Sequence, residues 1–275
     1  MSDAPLAGKT IFMSGGSRGI GLAIALRAAR DGANVALMAK TAEPQPTLEG
    51  TVHTAAAEIE EAGGRALAIV GDVRDADAVT EAVRRAADHF GGIDVCVNNA
   101  SAINLTPLSE LPVKRFDLML QINVRGTYVV SKACVPFLKD RGGHVLTLSP
   151  PIDLDPKWLG PHAAYTLSKY GMTMLTLGLA EELRSVGVAA NALWPRTLIA
   201  TAAVQNLLGG EESMARARRP EIVADAAHAI LVQDPASCTG HCFIDDEVLR
   251  DAGVTDFSPY LFTGREEDLA LDLFL

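Results

Sequence analysis

The sequence predicts an α/β fold, a doubly wound parallel sheet in a single domain, and three observations carry that reading. Short apolar and β-branched runs alternate with longer stretches of helical spacing along most of the 275 residues, the pattern of β-α-β units with right-handed crossovers. The first run passes through a glycine-rich turn, residues 14–21, directly into a helical stretch. Polar residues collect where the later strands end, and in such sheets that edge is where ligands bind.

Taken in order, residues 10–13 read as a buried strand and residues 22–30, rich in Ala and Leu, as the helix after the turn. Further strands are expected at 34–39, 66–70, 93–97, 145–148, 188–194 and 242–244. Between them lie helices at 51–62, 75–89, 113–138 (a long one, with Pro136 near its end), 163–186 and 220–232. Residues 41–50, holding Pro44 and Pro46, form an insertion before a helix and carry no functional reading.

Composition excludes several classes. With 34 acidic against 24 basic side chains the net charge is −10, which argues against sequence-independent binding to nucleic acid or to an anionic membrane. No apolar run is long enough to span a bilayer, and residues 1–9 lack a secretory pattern. The last three residues, Leu-Phe-Leu, are neither a peroxisomal nor a prenyl signal. Four cysteines suit a reducing cytoplasm, which is the expected location. Cys238 and Cys242 flank His241, but no second ligand pair accompanies them, so no metal site is expected.

A strand, a glycine turn and a helix N-terminus form a phosphate site from backbone alone, because free N–H groups and the positive end of the helix dipole converge there. Ser14, Gly15, Ser17, Arg18, Gly19, Ile20 and Gly21 are the candidates. Their G-x3-G-x-G spacing differs from G-x-G-x-x-G and from a P-loop, and an ordinary tight turn is the alternative. The second strand ends in Ala39-Lys40, with no carboxylate for a ribose 2′-hydroxyl. Lys40 and Arg18 instead offer two cations to a 2′-phosphate, so the expected cofactor is NADP.

Asp72, after the third strand, either accepts from an adenine amino group or caps a turn. Asn98-Asn99-Ala100 closes the fourth strand, where the two amides can bridge strand ends or hold a cofactor. Asn123 stands among apolar neighbours in the long helix, and burial there implies a hydrogen-bonding task. Tyr165 and Lys169 lie four apart on one helix face. Free tyrosine titrates near ~10, and a nearby ammonium lowers that by favouring the phenolate; a surface i, i+4 pair is the other reading.

With these residues in this order, the chain resembles the short-chain dehydrogenase/reductase family, from about Gly8 to about Val248. The carriers are Ser14-Gly15-x3-Gly19-Ile20-Gly21, Asp72-Val73, Asn98-Asn99-Ala100, Asn123, Tyr165-x3-Lys169 and the Asn191 to Pro195 run. Residues 97–103, 149–151, 191–196 and 244–249 look like the hydroxysteroid dehydrogenase-like protein 2 branch, some members of which carry an added sterol-carrier domain; none is expected here. The resemblance implies a Rossmann domain over residues 1–248, with residues 249–275 an extension of it. It also implies an NADP-dependent oxidoreductase interconverting carbonyl and alcohol, with a small, apolar substrate and a homo-oligomeric assembly.

By the same resemblance Tyr165 is the proton donor, Lys169 lowers its pKa and holds the nicotinamide ribose, Asn123 positions a water, and Ser149 binds the substrate oxygen. Asp72, Val73, Asn99, Ala100, Pro195 and Thr197 complete the cofactor site, with Thr201 an alternative to Thr197 for the carboxamide. Two departures stand out. Pro150 follows Ser149, which precedes Tyr165 by sixteen residues, a longer gap than the family's usual one; and Arg196 replaces the glycine usual after Pro195. Arg196 is either a loop charge or a contact to an anionic group. Pro150 keeps open a weakly active or non-catalytic NADP-binding sensor or scaffold, and a lyase or epimerase using the same cofactor is a third reading. Leu198, Ile199, Val204, Leu207 and Leu208 are read as a substrate lid or a packed helix, and Arg216, Arg218 and Arg219 as a solvated face. The acidic tail from Asp245, with Phe257, Tyr260, Phe262 and Phe274, either packs on a neighbouring subunit or partly closes the site.

Overall fold

The computed structural model describes residues 4–44, 50–207 and 209–275; Pro46 of the insertion and Leu208 of the expected lid lie outside them. Seven strands form one all-parallel sheet: β1 Thr10–Ser14, β2 Asn34–Ala39, β3 Arg65–Val70, β4 Val95–Asn98, β5 Gly143–Leu148, β6 Val188–Trp194 and β7 Cys242–Ile244. Their order is β3-β2-β1-β4-β5-β6-β7. β1 sits mid-sheet with Phe12 opposite Ala36 of β2 and Cys96 of β4. All residues of β1, β5 and β6 are buried, because helices cover both faces of a parallel sheet.

One face carries α1 Gly19–Ala29, α2 Val52–Glu61 and α10 Glu221–Leu231, whose Ile24, Ala55 and Ile222 share a core with Val35 and Leu37 of β2. The other carries α3 Ala76–Phe90, α5 Gly126–Lys139 and α7 Ala163–Leu183, packing Val79, Val130 and Leu183 on Phe12 and Val145. The ends are chemically marked. Asp75 caps α3 by accepting from the N–H of Asp77 and Ala78, and Gly91 closes it at φ 83°, as a left-handed C-cap requires.

The expected helix at 113–138 is α4 Val113–Met119 and α5 joined by a π-helical turn, Leu120–Arg125. The shorter helices α6 Pro156–Leu159, α8 Ala202–Leu207 and α9 Gly210–Ala215 fill the loops after β5 and β6. The expected boundary at 248 falls inside α11 Asp245–Asp251, whose Val248 and Leu249 join the core with α10. No helix among the described residues is long and apolar enough to cross a membrane.

The tail is tied down by a buried charge. The Asp246 carboxylate, 1% exposed, accepts from Arg196 Nε at 2.7 Å, pairs with Arg250 at 2.9 Å and lies 4.0 Å from Arg218. Arg218 is therefore not on a solvated face: it is 3% exposed, with its guanidinium 5.3 Å from the Phe257 ring. Arg216 and Arg219 are exposed, but each donates to a tail carbonyl, of Asp268 and Leu261 respectively. Removing one partner of a buried ion pair strands the other. Asp246→Ala is expected to lower unfolding free energy by about 3–5 kcal/mol, read from urea denaturation, whereas Arg250→Ala, at the exposed end of the cluster, should cost far less.

Candidate active site

The site lies at the carboxyl edge of the sheet where the order reverses between β1 and β4. The two backbones nearly touch there. A Cβ on Gly15 would meet the Ala100 Cα at 2.8 Å, and one on Gly21 would meet Asn99 Nδ2 at 2.5 Å. Asn99 Nδ2 donates to the Gly15 carbonyl at 2.7 Å, and the Ala100 N–H to Ser14 Oγ at 3.3 Å. Gly15 and Gly19 have φ of 76° and 56°, so these positions need glycine for conformation as well as space. Asn98 points inward instead, donating to Ser131 Oγ and Thr147 Oγ1.

Among the described residues no side-chain hydrogen bond caps the α1 N-terminus, where Arg18 is the N-cap. Arg18 Nη2 donates to the Gly50 carbonyl at 2.6 Å, while its buried Nε has no partner among the described residues. Lys40 pairs with Asp72 at 3.2 Å. The same carboxylate accepts from Nε and Nη2 of Arg74, at 2.9 and 2.6 Å, and from the Arg74 N–H. Those bonds to Arg74, with Lys40 beside them, hold the Asp72 carboxyl down at about 2. Arg74 is a third cation at this corner that sequence reasoning passed over, although it stands only two residues beyond Asp72. Val73 lies against Gly126, where α5 begins.

Asn123 is buried at the π turn and fully employed. Its Oδ1 accepts from the Ala102 N–H at 2.7 Å, and its Nδ2 donates to the Ala102 carbonyl and to Ser168 Oγ, both at 2.9 Å. The amide thus clasps the loop after β4 to α7 and leaves no side-chain hydrogen for a water. Lys169, 3% exposed, donates from Nζ to the Leu148 carbonyl at 2.8 Å and lies 4.9 Å from the centre of the Trp194 ring. Tyr165 is 5% exposed. Ser149 is wholly buried, and its hydroxyl is hydrogen-bonded to Thr173 Oγ1 at 2.9 Å, two turns along α7 from Tyr165. The Thr173 hydroxyl also reaches the Pro150 carbonyl at 2.7 Å.

Electrostatics here run opposite to the sequence expectation. Burial, with the Asp272 carboxylate, raises the Tyr165 phenol rather than lowering it. Burial lowers the Lys169 ammonium to about 7, against the pull of Asp272, and pushes Asp272 itself up to about 7. Asp272 arrives from the tail, which closes over the site within its own chain and brings Phe274 against Tyr165. Nothing local to either residue in the sequence signals this.

At the β6 end, Pro195 is buried, and Thr197 Oγ1 is buried with no partner among the described residues. Thr201 is engaged at the start of α8, accepting from Val204 N–H. Arg196 is paired with Asp246 through Nε and with Glu247 through Nη2. The uncapped α1 terminus, the orphaned Arg18 Nε and the orphaned Thr197 hydroxyl fit the phosphate and amide groups of a nicotinamide dinucleotide. Oxidoreductases that work with such a nucleotide are the class to which this edge points.

Comparison with known proteins narrows the class. A family model described as short chain dehydrogenase matches residues 9–211. The chain is 60% identical to a short chain dehydrogenase from Mycobacterium thermoresistibile, covering 98% of this chain and 96% of that one with a TM-score of 0.92. A metagenomic short-chain oxidoreductase in complex with NADP is 27% identical, with 87% and 97% covered and a TM-score of 0.72. Hydroxysteroid dehydrogenase-like protein 2 from Danio rerio is 56% identical and that from Homo sapiens 52%, each over 93% of this chain. The chain spans about three fifths of the length of these two relatives, 61% and 60%. It belongs to the short-chain dehydrogenase family.

The Asp272 carboxyl binds its proton more tightly folded than unfolded, about 7 against the ordinary 3.8. Its contribution to stability is therefore complete below about pH 4 and lost as pH rises through about 7. Unfolding measured across that window should show the wild type losing stability relative to Asp272→Asn; parallel profiles would mean that the carboxyl is not enclosed.

Proposed function

We propose that the protein is an NADP-dependent oxidoreductase that interconverts a carbonyl and an alcohol, with Tyr165 as the proton donor in reduction and acceptor in oxidation. The observation that supports it most is the buried Tyr165–Lys169 turn of α7 at the same sheet edge as the uncapped α1 terminus. When bound, the nicotinamide supplies or takes up the hydride. Ser14–Gly21 receive the diphosphate, Asn99 and Ala100 border it, and Thr197 beside Pro195 offers a hydroxyl to the carboxamide. Lys169 holds the ribose.

The raised Tyr165 suits the reductive direction, since a phenol keeps its proton until a carbonyl oxygen takes it. Oxidation needs the phenolate, which a charged Lys169 and an oxidised nicotinamide would favour. In this arrangement Asn123 acts on the loop through Ala102, and the Ser149 hydroxyl reaches a substrate oxygen only by leaving Thr173. That last feature favours one competing reading, a weakly active NADP-binding sensor or scaffold. Assembly as a homo-oligomer belongs to the same proposal, supported by the exposed apolar residues Tyr128 on α5 and Leu167 and Met174 on α7.

Tyr165→Phe should nearly abolish NADPH-driven reduction across a panel of small ketones and aldehydes while NADPH binding stays close to wild type. Turnover retained in that variant removes Tyr165 as the donor, and no turnover in the wild type with any carbonyl favours the sensor.

Cofactor choice rests on Lys40, Arg18 and Arg74. A charge-assisted hydrogen bond to the 2′-phosphate is worth about 1.5–3 kcal/mol, or roughly tenfold to a hundredfold in affinity. Lys40→Ala should weaken NADPH by that factor and leave NADH nearly unchanged in fluorescence titrations. Equal affinity of the wild type for the two nucleotides would refute the assignment.

A further inference from the structure

The segment from Leu269 runs back into the site rather than away from it. Its backbone pairs with the loop after β6: Leu198 N–H donates to the Ala270 carbonyl at 3.0 Å and Asp272 N–H to the Arg196 carbonyl at 2.9 Å, with Thr197 and Leu271 bridged antiparallel between them. Trp194 Nε1 then donates to the Leu273 carbonyl at 2.9 Å. The next residue is Phe274, which is 1% exposed.

Five rings surround it. The Phe274 centroid lies 5.3 Å from Tyr170, 5.8 Å from Trp158, 5.9 Å from His162, 5.9 Å from Trp194 and 6.0 Å from Tyr165. Phe274 is also, among the described residues, the non-glycine residue with positive φ, at 76°. A side chain with a Cβ resists that conformation. Burial of the ring among offset and edge-on aromatic partners is what offsets it.

The cage is not remote from the chemistry. One wall is Tyr165, and another, Trp194, lies over Lys169. Phe274 packs against both the Tyr165 and the Trp194 rings, and so occupies the apolar space beside the residue proposed to donate the proton.

We propose that Phe274 is a resident occupant of the substrate pocket and the residue that sets substrate size. With the segment seated, only small carbonyl compounds reach Tyr165. A flat apolar ketone with one or two rings binds by taking the place of the Phe274 side chain in the cage. This rests on Tyr165 being the proton donor, so the test includes a readout that needs no turnover.

Trp158 and Trp194 are the chain's two tryptophans, and both line the cage, so intrinsic fluorescence reports its occupancy. The experiment titrates decalone, a bicyclic aliphatic ketone, into the wild-type chain of residues 1–275 and its Phe274→Ala variant, then measures kcat/KM with NADPH for decalone and for acetone. Opening the cage should tighten decalone binding by roughly tenfold to a hundredfold, the worth of burying one ring-sized apolar group. It should raise the ratio of kcat/KM for decalone to that for acetone by a similar factor. Phe274→Leu, which keeps the pocket half filled, should fall between and serves if the alanine variant does not fold. Decalone affinity unchanged or weaker in the variants overturns the proposal, as does a parallel loss of activity on both ketones, because Phe274 is then a structural wall. Tighter decalone binding without turnover of either ketone leaves the pocket assignment standing and removes the proton-donor reading instead.

Discussion

The close approach of two backbones at the sheet's reversal point is the constraint on which the rest of the site depends. β1 and β4 leave the sheet side by side, and the turn after one and the strand end after the other share a gap that admits no Cβ at Gly15 or Gly21. The Asn99 amide closes that gap with a bond to the Gly15 carbonyl. Asn123 anchors the loop after β4 again two residues beyond Ala100, through the N–H and carbonyl of Ala102. Nucleotide edge and α7 are thereby held in one frame.

Within that frame, burial does most of the electrostatic work. Tyr165 and Lys169 are one turn apart with little solvent around either, and a low-dielectric setting disfavours the charged form of both. The phenol rises, the ammonium falls to about 7, and the Asp272 carboxyl facing them rises too.

The sheet and its flanking helices were legible because their signals are local: apolar runs for strands buried on both faces, 3.6-residue periodicity for α3 and α10, and Asp75 and Gly91 at helix ends. The glycine turn and the Tyr-x3-Lys spacing were legible for the same reason. What the sequence hid is long-range. Arg218 looked like part of a basic surface, and only its meeting with Asp246 and Phe257, far along the chain, buries it. Lys40 read as a free cation because its partner Asp72 lies on another strand end. Ser149 was assigned to the substrate oxygen by the family resemblance despite its unusual spacing, and in the structure its hydroxyl is bonded to Thr173. The tail offered aromatic residues without periodicity, and its course was set by backbone bonds to residues 196–198, which no side-chain pattern encodes.

The π turn at Leu120–Arg125 holds one residue more than an α-helical path between the same neighbours would need. Each residue of an α-helix advances the side-chain direction by about 100°. The extra residue therefore sets the phase of α4 independently of α5, so that α4 can cover the loop end of α7 while α5 keeps its buried face on the sheet. Seen this way, the turn is a stored insertion. Deleting one residue there would restore an unbroken helix at little cost in backbone bonding, yet it would rotate Asn123 away from Ala102 and Ser168 and release the loop after β4. The irregularity is thus a place where helix regularity and an assembled site are mutually exclusive, and the fold keeps the site.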